Sequence, residues 1–241
     1  QLPRQYLKAV IEDDVYQIDG VRRDTTKISL LLRSLARNES TTVSNKTIKN
    51  DIKAIDDEDI DMNTIASYLD VLTRLFLLDN LQPFSGNLRS SLRLKQMEKR
   101  RFVDPSLACA MLKITPKMLF NDLNTLGFMF ESLCVRDLII YSQTFDGQVF
   151  HYQDYDNDEI DAVIELPNGD WCAFEIKLGA NQIDAGASSS EINFSSDGKN
   201  KIEKDPHGRP PKALCVICGL ANASYMRPDG VMVVPITALK N

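Results

Sequence analysis

Long apolar runs, histidine and paired cysteines are scarce or missing in this sequence. No apolar segment approaches the roughly 20 residues that a membrane-spanning helix needs, and no signal peptide is visible at the start. Only two histidines occur among 241 residues, which argues against a histidine-based metal site. The five cysteines are odd in number and scattered through apolar segments, so we expect reduced thiols and a cytoplasmic protein.

Several catalytic motifs are also absent. No G-x-x-x-x-G-K-[ST] loop occurs in the sequence, so we do not expect these residues to bind ATP in the P-loop manner. The G-x-S-x-G elbow of hydrolases is missing as well. A C-x-x-C motif is present at Cys215 and Cys218, but it lies in a run typical of a strand, where residues three apart point to opposite faces. Zinc or redox chemistry is therefore disfavoured there.

The composition is that of a globular protein with an uneven charge distribution. Hydrophobic residues make up 43% and charged residues 26%, and the length allows one large domain or two small ones. Residues 1–103 hold 17 basic and 15 acidic residues, whereas residues 104–241 hold 11 and 19. If the chain has a nucleic-acid surface, we therefore expect it in the first part or in a localised patch. The chain starts at Gln1 without a methionine, which is consistent with a fragment.

The densest combination of strand pattern and chemistry lies between residues 152 and 177. Two apolar runs, 160–166 and 171–176, flank the sequence Pro-Asn-Gly-Asp at residues 167–170, which predicts a β-hairpin. Asp161 lies at the start of the first strand, and Glu175 and Lys177 are two residues apart on the second. Since side chains alternate along a strand, Glu175 and Lys177 share one face.

Two carboxylates that converge across a hairpin can hold Mg²⁺ or Mn²⁺, which prefer oxygen ligands. A neighbouring lysine can orient a water molecule or balance the charge of a phosphate. The alternative is a solvated hairpin face with an ordinary lysine–carboxylate pair across the strands. The residues alone leave both interpretations open.

The spacing D161-(x)13-E175-x-K177, after a helix that carries Glu131, resembles the PD-(D/E)XK nuclease superfamily with its restriction-endonuclease-like fold. More narrowly, NDEIDAVIE and WCAFEIKLG are similar to the C-terminal half of the DUF4143 family, and the likeness extends from LPRQYLKAV to GVMVVPITAL. The resemblance implies that Asp161 and Glu175 bind the metal and that Lys177 is catalytic. Glu131 is either an outer metal ligand or an ordinary exposed helical glutamate. An AAA+-type ATPase domain is expected upstream.

For residues 1–103 the pattern predicts a winged helix-turn-helix domain, similar to that of the same family. Helices are expected at 27–37 and 44–54, the second capped by Ser44, and a third helix is expected to begin at Asp61 or Asn63. The third helix offers few base-reading side chains, so a scaffold role for this domain is as well supported as DNA reading. The wing, residues 87–101, carries the candidate phosphate contacts Arg89, Arg93, Lys95, Lys99, Arg100 and Arg101. A solvated hairpin or contact with an acidic neighbour is the alternative.

For residues 104–241 the pattern predicts an α/β domain with a mixed sheet, which makes the whole chain α+β. A helix at 123–141, strands at 148–153, 213–218 and 231–235, and the hairpin give this order. Two functions follow. One is a metal-dependent nuclease, and the other is a non-catalytic DNA- or protein-binding module that serves the upstream ATPase.

Overall fold

The computed structural model describes residues 2–56, 60–85, 96–153, 159–188 and 210–239. The chain divides into two compact units, and each is discontinuous in sequence. Unit 1 comprises Gln1–Asn80 and Met97–Ser132, and unit 2 comprises Leu81–Gln96 and Leu133–Asn241. The domain border predicted between residues 103 and 104 stays a prediction. Within the described residues, no helix combines the length and the apolar character needed to cross a membrane.

Unit 1 is helical. Its first helix, α1 (Leu2–Ala9), continues through a π-helical turn (Val10–Asp14) into α2 (Val15–Gln17). The following helices are α3 (Thr25–Arg37), α4 (Asn45–Lys53), α5 (Met62–Arg74), α6 (Pro105–Met111) and α7 (Pro116–Asn121). Helix α8 (Leu123–Ser142) begins in unit 1 and ends in unit 2.

Side-chain caps fix the starts of the central helices. Asp24 accepts hydrogen bonds from two backbone amides of α3, Ser44 accepts one from Thr47 at 3.1 Å, and Asp61 accepts one from Asn63 at 2.7 Å. The predicted cap at Ser44 is confirmed, and of the two candidates for the third helix the cap is Asp61. Each cap satisfies an amide that the helix leaves without a partner, and contributes about 1 kcal/mol.

The core of unit 1 forms where the apolar stripes of α3, α4 and α5 meet. Ile28, Leu31, Ile48, Ile65 and Phe102 are fully buried there. Two isolated β-bridges, between residues 41 and 100 and between residues 78 and 102, hold the end of the predicted wing and the residue that follows it against this core. Most of the wing, namely residues 87–95, lies outside the described residues, so the winged helix-turn-helix interpretation stays a prediction.

Unit 2 is built on a mixed sheet, as predicted, with six strands where the sequence indicated five. The strands are β1 (Gln148–Gln153), β2 (Glu159–Glu165), β3 (Trp171–Lys177), β4 (Ala213–Cys218), β5 (Tyr225–Met226) and β6 (Met232–Pro235). Their order in the sheet is β1-β2-β3-β4-β6-β5. The pairs β3–β4 and β4–β6 are parallel, and the others are antiparallel. The α/β class expected for this part of the chain is therefore confirmed.

The predicted hairpin joins β2 to β3. Its turn closes with hydrogen bonds from Leu166 N to Asp170 O at 2.7 Å and from Gly169 N to Leu166 O at 2.9 Å. Gly169 has a φ of +80°, a conformation that favours glycine. The register runs from Glu165 opposite Trp171 to Ala162 opposite Phe174, which brings Asp161 to the level of Glu175.

Apolar contacts on the sheet position the hairpin within unit 2. The Trp171 ring lies 5.1 Å from that of Phe84, and the Phe150 ring lies 6.1 Å from Phe84. Farther along, helix α9 (Ile183–Ser188) buries Ile183 and Ala187 in a cluster with side chains of β4 and β6. The first cluster includes Trp171 of β3, and the second lies on the neighbouring strands β4 and β6.

Candidate active site on the β2–β3 hairpin

The structure brings three of the four predicted catalytic residues together. Asp161 lies on β2, and Glu175 and Lys177 lie on β3. The Lys177 Nζ atom is 2.5 Å from Glu175 Oε2 and 3.8 Å from Asp161 Oδ2. The shared face that the two-residue spacing predicted is therefore present, and the lysine contacts both carboxylates.

Asp161 is oriented by the backbone of the neighbouring strand. Its Oδ2 atom accepts a hydrogen bond of 2.7 Å from the amide of Ile176, immediately beyond the last β2–β3 pair at Ala162 and Phe174. The carboxylate thus takes the place of a backbone acceptor where the ladder ends. A side chain held by a strand amide keeps a fixed direction, which a binding site needs.

Burial separates this group from an ordinary surface pair. Glu175 is 1% exposed, while the side chains of Asp161 and Lys177 are 14% and 27% exposed. A buried carboxylate is stabilised by a close cation with good geometry, and the Lys177 ammonium supplies one. The hairpin face is therefore only partly solvated, with its negative charge inside and its lysine at the edge.

The fourth predicted residue, Glu131, lies on α8 in the part that belongs to unit 1. Its Oε1 atom accepts a hydrogen bond of 2.8 Å from Lys99 Nζ, and the side chains are 13% and 2% exposed. Glu131 is therefore a partly buried partner of a buried lysine rather than a solvated helical glutamate. Its role as an outer metal ligand stays a prediction.

The basic residues predicted to contact phosphate fall into two groups. Arg89, Arg93 and Lys95 lie outside the described residues. Lys99, Arg100 and Arg101 are described, and each pairs with a carboxylate of unit 1: Lys99 with Glu131, Arg100 with Glu98, and Arg101 with Asp79. Lys99 and Arg101 are each 2% exposed, so contact with a phosphate would require their ion pairs to open.

A buried acid that sequence reasoning missed is Glu39. It is 1% exposed, and its carboxyl accepts hydrogen bonds from Ser132 Oγ at 2.6 Å and from the Phe102 amide at 3.2 Å. Burial raises the pKa of Glu39 from 4.5 to about 7, against the lowering effect of these hydrogen bonds. No local pattern could have identified it, since its partners lie 63 and 93 residues farther along the chain.

The cysteines of the C-x-x-C motif are both buried in β4. Burial raises the pKa of the Cys215 thiol to about 12. A thiolate, the reactive and metal-binding form, is therefore scarce at neutral pH at this position.

The metal-binding capacity of the candidate site rests on two carboxylates. Among the residues that the structure describes, no three His, Cys, Asp or Glu side chains converge as a metal-binding group. Asp161 and Glu175 nevertheless present oxygen donors of the type that Mg²⁺ and Mn²⁺ prefer, and these ions commonly complete their coordination with water and phosphate oxygens. The donor set fits such a cation.

Comparison with known families separates the chain into two matched segments. Residues 2–118 match the model of DUF8612, and residues 126–239 match that of DUF4143; both are described as domains of unknown function. The DUF4143 match is narrower than the near full-length resemblance expected from the sequence. No curated protein and no solved structure matches the chain. The segment that is similar to DUF4143 is therefore the one that carries Glu131, Asp161, Glu175 and Lys177.

Proposed function

We propose that this chain is a divalent-cation-dependent phosphodiesterase that cleaves nucleic acid, with Asp161, Glu175 and Lys177 as its catalytic group. The proposal is supported chiefly by one observation: the Lys177 ammonium lies 2.5 Å from Glu175 Oε2 and 3.8 Å from Asp161 Oδ2 on one hairpin face. An acid–acid–lysine group of this kind fits phosphodiester hydrolysis, in which negative charge develops on the phosphate.

Each residue has a distinct role in the proposal. Asp161 and Glu175 hold Mg²⁺ or Mn²⁺, and the bound cation polarises the phosphate and lowers the pKa of the attacking water. The Ile176 amide fixes the direction of the Asp161 carboxylate. The buried position of Glu175 strengthens its attraction for a cation, because little water screens it. Lys177 donates hydrogen bonds to the water or to the phosphate.

The substrate class rests on the basic run of residues 89–101 and on the family resemblance. Arg89, Arg93, Lys95 and Arg100 are proposed to contact the phosphate backbone, which makes binding salt-dependent. An upstream AAA+-type ATPase domain is proposed as the functional partner. Glu131 is kept as a candidate outer ligand, and Glu131→Gln tests this role: a rise in the Mn²⁺ needed for cleavage supports it, and an unchanged requirement rejects it.

The first test is Mn²⁺ binding by calorimetry. We expect the wild type to bind Mn²⁺ and Asp161→Asn/Glu175→Gln to lose binding, because the substitutions keep the shape but remove the charge. Glu165→Gln is the matched control, since Glu165 lies at the other end of β2. Its binding should equal that of the wild type.

Cleavage of a mixed panel of DNA and RNA oligonucleotides is the second test. We expect Asp161→Asn and Lys177→Ala each to lower cleavage by about 100-fold or more, while Lys177→Ala keeps its Mn²⁺ binding. Cleavage that persists at the wild-type rate in both variants would show that a different site, or a contaminant, is responsible.

A non-catalytic DNA- or protein-binding module is the second candidate. Two observations favour it: the described residues hold no group of three metal-ligating side chains, and Glu175 already has a cationic partner in Lys177. In that case the wild type does not bind Mn²⁺, and its affinity for an oligonucleotide or for the ATPase is the same in Asp161→Asn. Calorimetry on the same samples decides between the two.

A further inference from the structure

Helix α9 approaches the side chain of Lys177 at a glycine. A Cβ atom placed on Gly186 would lie 3.1 Å from both Cγ and Cε of Lys177, and 3.7 Å from its Cδ. Carbon atoms in favourable contact are about 3.5–4.0 Å apart. The lysine stem therefore lies against the helix backbone, in space that any other residue at position 186 would partly fill.

The helix has little freedom to move away from the lysine. Ile183 and Ala187, on either side of Gly186, are 5% and 4% exposed and pack on β4 and β6. Asp184 pairs with Arg227, which also pairs with Asp229 at 3.0 Å. Apolar packing thus holds this short helix to β4 and β6, and an exposed ion pair links it to Arg227.

The opposite end of the lysine is also held. Its Nζ atom contacts Glu175 Oε2 and Asp161 Oδ2, so the stem spans from these carboxylates to the backbone of α9. A shift of the stem by a few tenths of an ångström would be transmitted to Nζ, because both the helix and the two acids are fixed.

Glycine is a poor helix former, and here it lies inside a helix of six residues. A left-handed conformation does not explain it, because Gly186 is not among the glycines with positive φ. The close approach of the Lys177 side chain explains the glycine at this position.

We propose that Gly186 is a positioning residue for Lys177, and that its lack of a side chain lets the Nζ atom lie between Glu175 and Asp161. The catalytic consequence rests on the proposed phosphodiesterase function. Gly186 itself does not contact the reacting atoms in this scheme. It sets where the lysine proton donor is held.

The contact is tested by a double-mutant cycle on the full chain, with unfolding in urea as the readout. Gly186→Ala should lower the unfolding midpoint when Lys177 is present and have no such effect in the Lys177→Ala background, where the stem is gone. Gly127→Ala is the matched control, since Gly127 also lies in a helix and its Cβ would meet nothing within 4 Å. It should show no coupling to Lys177. Equal effects of Gly186→Ala in both backgrounds would overturn the proposal.

A second background is used in case Lys177→Ala alone does not fold. Lys177→Ala/Glu175→Gln removes the buried charge together with its partner, and Gly186→Ala is then added to it. We expect the substitution to be tolerated there. A drop in the unfolding midpoint as large as that in the wild-type background would contradict the proposed contact.

The position of Nζ is read out by acylation of lysine amines with a succinimidyl ester, followed by peptide mass spectrometry. Lys177 should be acylated faster in Gly186→Ala than in the wild type, with the exposed Lys212 as the internal reference. In the cleavage assay the same variant should lose about tenfold in kcat with little change in KM, because a small misplacement weakens the chemical step. Unchanged acylation together with unchanged kcat would overturn the positioning role.

These outcomes separate the two proposals. If no wild-type sample cleaves nucleic acid, the phosphodiesterase proposal fails, while the cycle and the acylation rate still decide whether Gly186 positions Lys177. If the wild type cleaves and the cycle shows no coupling, the function stands and the role of Gly186 is rejected.

Discussion

Glu39 shows how one buried carboxyl can tie the stability of unit 1 to pH. Burial raises the pKa of Glu39 to about 7 in the folded state, above its ordinary value of 4.5. For an acid with a raised pKa, the stabilisation is complete below the unfolded value and is lost as pH rises through the folded value. Its contribution therefore decreases between about pH 4.5 and pH 7.

We predict that Glu39→Gln removes this dependence. The amide keeps an acceptor for Ser132 and Phe102 and does not ionise. The free energy of unfolding of the wild type, relative to the variant, should fall by at most about 3 kcal/mol between pH 5 and pH 8. Urea unfolding of both proteins at the two pH values measures it, and parallel pH profiles would contradict the prediction.

A second residue-scale prediction concerns the lysine–glutamate pair. Lys177→Met leaves the Glu175 charge buried without its ammonium, so the free energy of unfolding should fall by about 2 kcal/mol, less than for a fully buried pair. Adding Glu175→Gln should recover most of the loss, because the buried charge is then gone. Thermal unfolding of the single and double variants provides the measurement, and failure of the double variant to recover would argue against an electrostatic cause.

The residues of the site were predictable to different degrees. Glu175 and Lys177 share a face because of their two-residue spacing, and the hairpin brings Asp161 to them. Gly186 and Glu39 could not be found in this way. Their environments depend on which element packs against them, and this packing depends on contacts between residues that are far apart in sequence.

At the scale of elements, the turn of the hairpin sets the register that aligns Asp161 with Glu175. Gly169 adopts a φ of +80° there. We predict that Gly169→Ala lowers the free energy of unfolding by about 1–2 kcal/mol, because an alanine side chain is strained in this conformation. Gly127→Ala, which replaces a helical glycine in open space, should instead raise it by up to about 1 kcal/mol. Urea unfolding of the two variants should give changes in the free energy of unfolding of opposite sign, and changes of the same sign would contradict the prediction.

Local signals explain why many elements were predicted correctly. The caps at Ser44 and Asp61, the β2–β3 turn and the long helix α8 are each encoded within a few residues of sequence. The parallel pairing of β3 with β4 and the short strand β5 were not predicted. Strand pairing depends on partners brought together across long segments, here residues 178–212, and β5 has only two residues.

At the scale of the whole molecule, the basic residues of the predicted wing are expected to affect the binding of nucleic acid. We predict that Arg89→Gln/Arg93→Gln/Lys95→Gln weakens oligonucleotide binding by a similar factor for all sequences and lowers the salt dependence, with a change in slope of up to about 3. Replacing the exposed Lys53, Lys113 and Lys117 by glutamine is the control of equal charge. Fluorescence anisotropy from low to high salt measures both, and equal losses in the two triple variants would exclude a localised site.

The discontinuity of the two units has a consequence for how the chain can be divided. In unit 2, the Phe84 amide donates to His151 O at 2.7 Å and the His151 amide donates to Gln82 O at 3.1 Å, so residues 82–84 cover the outer edge of β1. A fragment cut at the predicted border of residue 104 would lack this segment and leave strand hydrogen-bonding groups open to pairing with other molecules. Self-association of such a fragment would therefore be a product of the cut, and would say nothing about the oligomeric state of the intact chain.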